Sequence, residues 1–335
     1  MALRWALAST EEGGMLFADE RTATRHVGKG AYAGLEFLHV NARTIINAVP
    51  AQSAMPFRFT INCYRGCSHA CSYCFARPTH EYLGLDIGSD FERRIVVKIN
   101  AVERLRAEVR AAKWGGDTIA MGTNTDPYQH AEGKYHLTRG IIDVLAEARN
   151  PFSILTKSTL ILRDTKALVA AAARTGVAVS FSIGTLDRDV WKLTEPGTPP
   201  PDKRVEALRR LSDAGISCGV LVAPVLPGLS DREDQITEVV EACAQAGAAS
   251  IHGLALHLRG PMRAHYADWL ARTRPDLSAL YAERFKGGAY QPQRERDRVA
   301  DLVRRAALDC GVTGRDAYER TAPVQITPST QLSLL

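Results

Sequence analysis

Apolar and polar positions follow two rhythms along this chain from about residue 56 onward. Short runs rich in β-branched and aromatic residues recur at "FRFTIN" (57–62), "GGDTIAMGTN" (115–124), "PFSILTKS" (151–158), "VAVSFSIGT" (177–185), "ISCGVLVAPVLPG" (216–228) and "ASIHGLALHLRG" (249–260). Runs of this length, bounded by Gly, Pro and small polar residues, read as strands. Between them, apolar residues fall at helical spacing. Asn100 can cap a helix running to Trp114, and further helices are expected at about 137–149 and 163–175. "PPPDKRVEALRRLSDAG" (199–215) has proline at its start and glycine at its end, the asymmetry expected of a helix. "SDREDQITEVVEACAQAG" (230–247) is a further helix, and "RRIVVKIN" (93–100) an additional apolar run. Six strands alternating with helices imply an α/β chain with a parallel sheet, open or curled into a barrel, and chemistry at the carboxyl ends of the strands.

The flanks break this rhythm. Residues 1–55 read as an N-terminal extension that opens on a Gly-rich polar tract and reaches an extended segment, "GLEFLHVNARTIINAVP" (34–50). Residues 56–260 form the repeating core. Residues 261–335 read as helical, interrupted at "FKGGAYQPQ" (285–293).

Composition changes the picture little. The 335 residues are 45% hydrophobic and 24% charged, as in an ordinary globular protein. The formal charge of +5, from 42 basic and 37 acidic residues mixed along the chain, permits an anionic partner without requiring one. "MALRWALASTEEGGM" has no apolar run of signal-peptide length before Glu11 and Glu12, and no stretch approaches the ~20 apolar residues of a membrane helix. A cytoplasmic protein without a membrane partner is expected.

Reduced thiols in that compartment give weight to "CYRGCSHACSYCF" (63–75), which carries four of the seven cysteines. A disulfide is disfavoured there. Structural zinc usually takes four ligands, often as two separated pairs, and no second C-x-x-C pair is present, although His69 or His80 offers an extra ligand. Iron–sulfur clusters take thiolates from compact loops, and Cys67, Cys71 and Cys74 are spaced C-x-x-x-C-x-x-C. Cys63, four residues before Cys67, reads as a bystander; the alternative is a redox or hydrogen-donor thiol. Cys218, Cys243 and Cys310 stand singly, each read as a small buried apolar residue.

"GCSHACSYCF", with aromatic Tyr73 before the last cysteine and placed directly after the first strand of a six-unit βα pattern, resembles the cluster loop of the radical S-adenosylmethionine (SAM) superfamily. The resemblance covers about residues 56–260. It implies a partial (β/α)6 barrel and a [4Fe-4S] cluster held by Cys67, Cys71 and Cys74. It further implies S-adenosyl-L-methionine chelated at the open iron and cleaved by one electron to methionine and a 5′-deoxyadenosyl radical. A reducing electron donor such as flavodoxin or ferredoxin follows from the same resemblance. The cofactors then carry the hard chemistry, and the protein supplies position and exclusion.

The resemblance also directs attention to strand ends. After the second strand, "MGTNTDPYQ" offers Gly122 for close backbone approach and Thr123, Asn124, Thr125 and Asp126 as polar contacts, although a helix-capping loop ending in Pro127 reads the same way. Lys157, at the end of the third strand, is a candidate carboxylate anchor, against a solvated lysine. Ser180 and Ser182 alternate onto one face of the fourth strand and are candidates for ribose or carboxylate, against small packing residues. Tyr73 joins them in the cofactor set. Glu195 and Arg204 flank a Pro-rich loop, where a surface ion pair is the commoner reading. His69 and Arg77 are candidates to tune the cluster, and His80 and Glu81 are placed near the mouth without a role.

"NCYRGCSHACSYCFARPTHEY" and "TDPYQHAE" resemble most the branch of spore photoproduct lyase and its uncharacterised bacterial relatives. Phe75 stands where the lyase has tyrosine, and "MGTNTDPYQ" lacks the cysteine that the lyase places there, so the lyase's own radical relay is missing. Tyr73 and Tyr128 are the remaining hydrogen-donor candidates. A radical enzyme of unknown substrate is the leading expectation. The alternatives are a lyase-like DNA repair enzyme, with nucleic acid as partner, and a non-catalytic iron–sulfur or zinc protein.

Overall fold

The computed structural model describes residues 24–53 and 55–314. The expectations for the opening polar tract and for the last twenty-one residues lie outside the described residues. Eleven strands are present among the described residues: β1 (Thr24–Val27), β2 (Glu36–Val40), β3 (Ile46–Ala48), β4 (Phe59–Ile61), β5 (Tyr64–Arg65), β6 (Arg94–Lys98), β7 (Ile119–Met121), β8 (Phe152–Thr156), β9 (Val177–Ser182), β10 (Ser217–Val225) and β11 (Ser250–Ala255). They form two sheets. The larger runs β11-β10-β9-β8-β7-β4-β3, in which β4, β7, β8, β9, β10 and β11 are parallel and β3 is an antiparallel edge. The alternating runs anticipated the six parallel strands, and the resemblance implied the partial barrel they form, left open between β3 and β11.

The helices that cover it also follow the pattern. In chain order they are α1 (Ser89–Arg93), α2 (Ala101–Val109), α3 (Glu132–Tyr135), α4 (Leu137–Glu147), α5 (Thr165–Ala172), α6 (Arg188–Thr194), α7 (Pro201–Asp213), α8 (Glu233–Gln245), α9 (Met262–Thr273), α10 (Ser278–Arg284) and α11 (Gln293–Asp309). One continuous core joins strand residues such as Ile119, Ile154, Val179 and Val220 to helix residues such as Ile141, Leu168, Leu208 and Val240. α11 packs on β11 and α8, burying Val299, Leu302 and Val303. It takes the place a crossover helix has after each earlier strand. Gly253 permits that contact, because a Cβ there would fall 2.6 Å from Val303 Cγ2.

Local expectations shift in three places. α2 ends at Val109 rather than Trp114, and Asn100 does not cap it through its side chain. Its amide instead bonds both backbone groups of Ala42, at 2.8 and 3.0 Å. Residues 159–164 form a 3-10 turn ahead of α5. "RRIVVKIN" joins the second sheet, ordered β1-β2-β6-β5, where it pairs parallel with β2 and antiparallel with β5.

The end of β7 meets β8 unusually closely. Gly122 has φ of 91°, and a Cβ on it would fall 2.0 Å from the Leu155 carbonyl oxygen. Glycine is required here both for the positive φ and for the space. Gly122→Ala should lower stability by roughly 2 kcal/mol or more in chemical denaturation; a variant as stable as the parent would contradict this packing.

Candidate functional site

β4 and β5 feed directly into the cysteine loop. The loop has almost no regular structure, so its backbone groups must find partners elsewhere. Cys67 N–H donates to Phe91 O (2.9 Å), and Ala70, at a left-handed φ of 54°, turns the chain so that its N–H reaches Cys67 O (3.3 Å). Arg77, 1% exposed, donates from Nε and Nη2 to Cys71 O (3.0 and 2.9 Å) and from Nη1 to Ile87 O (2.9 Å). It acts on the loop backbone, and Glu92 pairs with its charge at 2.6 Å. Gln129, fully buried, accepts from Ser68 N (3.0 Å) and donates to Gly66 O (2.9 Å). His80 lies buried behind the loop rather than at a mouth, donating from Nε2 to Arg94 O at 3.0 Å; Glu81 is exposed.

The loop presents Cys67, Cys71 and Cys74 to one cavity of about 200 Å³ at the carboxyl ends of the strands. Burial pushes the Cys71 thiol up to about 12, with Glu195 adding to the shift. Burial also raises Cys67, helped by Asp126, Cys74 and Cys71. Crowded thiols in this setting favour proton or metal over bare negative charge. Cys63 belongs elsewhere: it sits in the barrel core with Sγ 3.8 Å from Thr138 Oγ1, away from the cavity. Cys218 and Cys243 are buried as expected, but Cys310, at the end of α11, is exposed.

Gly122, Thr123, Asn124, Thr125, Asp126, Lys157, Ser182 and Tyr73 line the same cavity. Ser180 does not; its hydroxyl lies deeper, beside Gly219 and near Ser250. Asp126 is heavily engaged. Its carboxylate accepts from Thr156 Oγ1, Lys157 N and Tyr128 N at 2.7–2.8 Å and stands 3.4 Å from His69 Nδ1. Burial opposes its ionisation, but His69 and these hydrogen bonds prevail and hold its pKa below the usual value. The turn thus caps itself through Asp126, while Gly122 to Asn124 line the cavity and the buried Thr125 hydroxyl donates to Gly66 O (2.7 Å) and accepts from Gln129 Nε2 (2.8 Å). Tyr128 is buried in the core and does not reach the cavity.

Lys157 is not a solvated lysine. Its Nζ lies 2.9 Å from Glu195 Oε1 and 2.7 Å from Ser182 Oγ, over the ring of Tyr73. Glu195 and Arg204, expected as a surface pair, are buried at 4% and 1% exposure because the Pro-rich loop folds back against the cysteine loop. Glu195 accepts from Tyr73 OH and from Arg204 Nη2, and the Arg204 and Lys157 cations, helped by the Tyr73 hydrogen bond, outweigh burial to hold its carboxyl far below the usual range. Gly197 seals the contact, since a Cβ there would lie 2.2 Å from Ser68 O.

The opposite wall is apolar: Phe75, Leu221, Pro224, Leu254 and Leu256, with His257 at the edge. Phe75 is 54% exposed. A row of rings runs outward from it to His257 (5.9 Å) and Tyr290 (5.7 Å), with Arg259 over Tyr290. The strand-end walls from β10 and β11, His257 and the Gln129 stitch were not singled out by residue pattern. The wall residues sit inside regular apolar runs that disguise them, and only Gln129 falls in a polar motif, "TDPYQHAE".

This geometry agrees with comparison to known proteins. Residues 61–240 match the family model of the radical SAM superfamily. The chain belongs to that superfamily. It is 43% identical over 338 residues to an uncharacterized protein of Mycobacterium bovis, covering 97% of this chain and 99% of that one. An uncharacterized protein of Methanocaldococcus jannaschii is 30% identical over 204 residues, 61% of this chain and 73% of that one. Among solved structures, spore photoproduct lyase complexed with dinucleoside spore photoproduct superimposes with a TM-score of 0.60 at 19% identity, covering 82% of this chain and 79% of that chain. Its likeness is one of fold. Among the described residues no helix is long and apolar enough to cross a membrane.

Burial lowers the pKa of His80 from 6.5 to about 4, so the folded state prefers the neutral ring. Its stabilising contribution is complete above 6.5 and is lost as pH falls toward 4, the loss amounting to about 2 kcal/mol at pH 5. Denaturation of the full chain at pH 7.5 and pH 5 should show this slope, and His80→Gln should reduce it; an unchanged slope would contradict the assignment.

Proposed function

We propose that this protein is a radical SAM enzyme that holds a [4Fe-4S] cluster on Cys67, Cys71 and Cys74 and binds S-adenosyl-L-methionine in the adjoining cavity. The observation that carries the reading is that three thiols of one loop, Cys67 and Cys71 buried and Cys74 half-buried, and the glycine–hydroxyl turn after β7 line a single cavity. The donor set fits the group. Three thiolates on a four-iron cluster leave one iron open. Among the described residues no three His, Cys, Asp or Glu side chains are grouped to hold a single ion, and a cluster does not need them to be, since each thiolate takes a different iron. When bound, cluster and S-adenosyl-L-methionine supply a 5′-deoxyadenosyl radical that abstracts hydrogen from a substrate.

The chain's own residues have definable tasks in this reading. Gly122 allows the backbone of the turn to approach the methionine end, with Thr123 and Asn124 as its polar contacts, while the Thr125 hydroxyl ties the turn to Gly66 of the cysteine loop. Asp126 fixes that turn. Lys157, supported by Ser182, meets a carboxylate. Tyr73 forms part of the wall, and Ser180 acts at a distance through packing of β9 against β10. The apolar wall from Phe75 to Leu256 excludes water from reactive species. A reductant such as flavodoxin or ferredoxin delivers the electron. Residues 56–260 are taken as the catalytic core, 1–55 as an extension and 261–335 as a C-terminal flank, helical within its described part, in a cytoplasmic enzyme.

A nucleic-acid substrate is the second reading, favoured by the ring row at the rim and by Arg259. Aromatic faces and guanidinium groups are the usual partners of unstacked bases. The solved structure of spore photoproduct lyase with a dinucleoside lends it support. Among the described residues the cavity holds no cysteine beyond the three ligands, so a different hydrogen donor would serve.

The test is EPR of the anaerobically reconstituted, reduced protein. A four-iron signal that changes on adding S-adenosyl-L-methionine supports the enzyme; a signal indifferent to it supports an electron carrier, and zinc without a cluster overturns both. Cys63→Ala should keep about four irons per chain, whereas Cys71→Ala should lose most of them. Phe75→Ala should weaken binding of a single-stranded oligonucleotide by about 1–3 kcal/mol in a fluorescence titration if the second reading holds.

A further inference from the structure

Glu195 does not line the cavity, yet two of its partners, Tyr73 and Lys157, do. Its two oxygens are divided. Oε2 accepts from Arg204 and, at 3.4 Å, from Thr198 Oγ1; Arg204 also donates to Ser182 O (3.1 Å) and Pro199 O (2.9 Å) behind the wall. Oε1 is shared by the Tyr73 phenol and the Lys157 ammonium. One carboxylate therefore faces two cations, and only one of them, Lys157, reaches the cavity. The segment around Glu195 is tied to the cysteine loop through Ser72 N to Thr194 O (2.9 Å) and Gly197 N to His69 O (3.1 Å). Its position is thus set by the same loop that carries the thiols. A lysine meant only for packing needs no such arrangement, and a lysine meant to present full charge would not have a buried carboxylate at 2.9 Å.

We propose that Glu195 is a positioning and specificity residue: it pins Lys157 to the wall and part-neutralises it, so that a ligand carboxylate meets a shared charge. The proposal rests on the reading of the cavity as a site for S-adenosyl-L-methionine. Glu195 acts through Lys157 and touches no ligand itself. It keeps the site from becoming a general anion trap, because an anion must compete with Glu195 for the ammonium.

The experiment is equilibrium dialysis of the cluster-reconstituted full chain with S-adenosyl-L-methionine and with 5′-methylthioadenosine, which lacks the amino-acid end. Glu195→Gln should bind S-adenosyl-L-methionine roughly five- to tenfold tighter and 5′-methylthioadenosine unchanged. In a Lys157→Met background, adding Glu195→Gln should change neither affinity. Equal shifts for both ligands, or an effect that survives without Lys157, would show a merely structural role and overturn the proposal. If Glu195→Gln does not fold, the parent protein is compared on S-adenosyl-L-methionine and its carboxamide. A shared ammonium predicts a preference below roughly tenfold for the carboxylate, and a preference near a hundredfold overturns it. A reconstituted parent that binds no S-adenosyl-L-methionine would sink the functional reading itself. Normal binding by the parent with an indistinguishable Glu195→Gln variant would sink this inference alone.

Discussion

A loop carrying three cavity-lining thiols has no hydrogen-bonded ladder to hold it, and the rest of the structure answers that deficit. Its backbone is satisfied from four directions: Gln129 after β7, Arg77 on its own C-terminal side, Phe91 from α1, and Thr194 at the end of α6 with Gly197 from the Pro-rich loop. Buried backbone groups without partners would each cost about 1–3 kcal/mol, so these contacts are a condition of folding as much as of function. They also bring the carboxyl ends of β7, β8 and β9 to the thiols.

Charge at the site is arranged in two layers. Asp126 and Glu195 are both buried carboxylates held ionised, but they serve different strands. Asp126 spends its acceptor capacity on Lys157 N, Thr156, Tyr128 and His69, locking the β7 turn to the end of β8. Glu195 spends its capacity on side chains, joining the cysteine loop to Lys157 and Arg204. Removing one partner from such a buried group leaves an uncompensated charge, which is why these pairs constrain the site so strongly. Against this polar half stands an apolar half from β10 and β11, and the cavity lies between them.

Much of this was legible in the residues. The six apolar runs became the six parallel strands because burial on both faces of such a sheet leaves a continuous hydrophobic signature. The C-x-x-x-C-x-x-C spacing located the loop, and strand-end position picked out Gly122 to Asp126, Lys157 and Ser182. Other assignments depended on distance in space. Ser180 and Ser182 share a strand face, yet their depth in the barrel differs. Glu195 and Arg204 looked like a surface pair because a Pro-rich, charged segment usually is one. Cys63 and Cys67 are four residues apart, but β5 carries the chain toward the second sheet between them, so one thiol joins the core and the other the cavity.

The sequence by itself determined the alternation of strand and helix, the order of the parallel strands' precursors and the thiol spacing, because period, turn residues and short-range spacing are local properties. Tertiary structure alone decided which polar side chains are spent on one another and which remain for a ligand. That division depends on loops such as 194–198 folding across the molecule against Ser68 and His69, and no local pattern records a contact between residues more than a hundred positions apart.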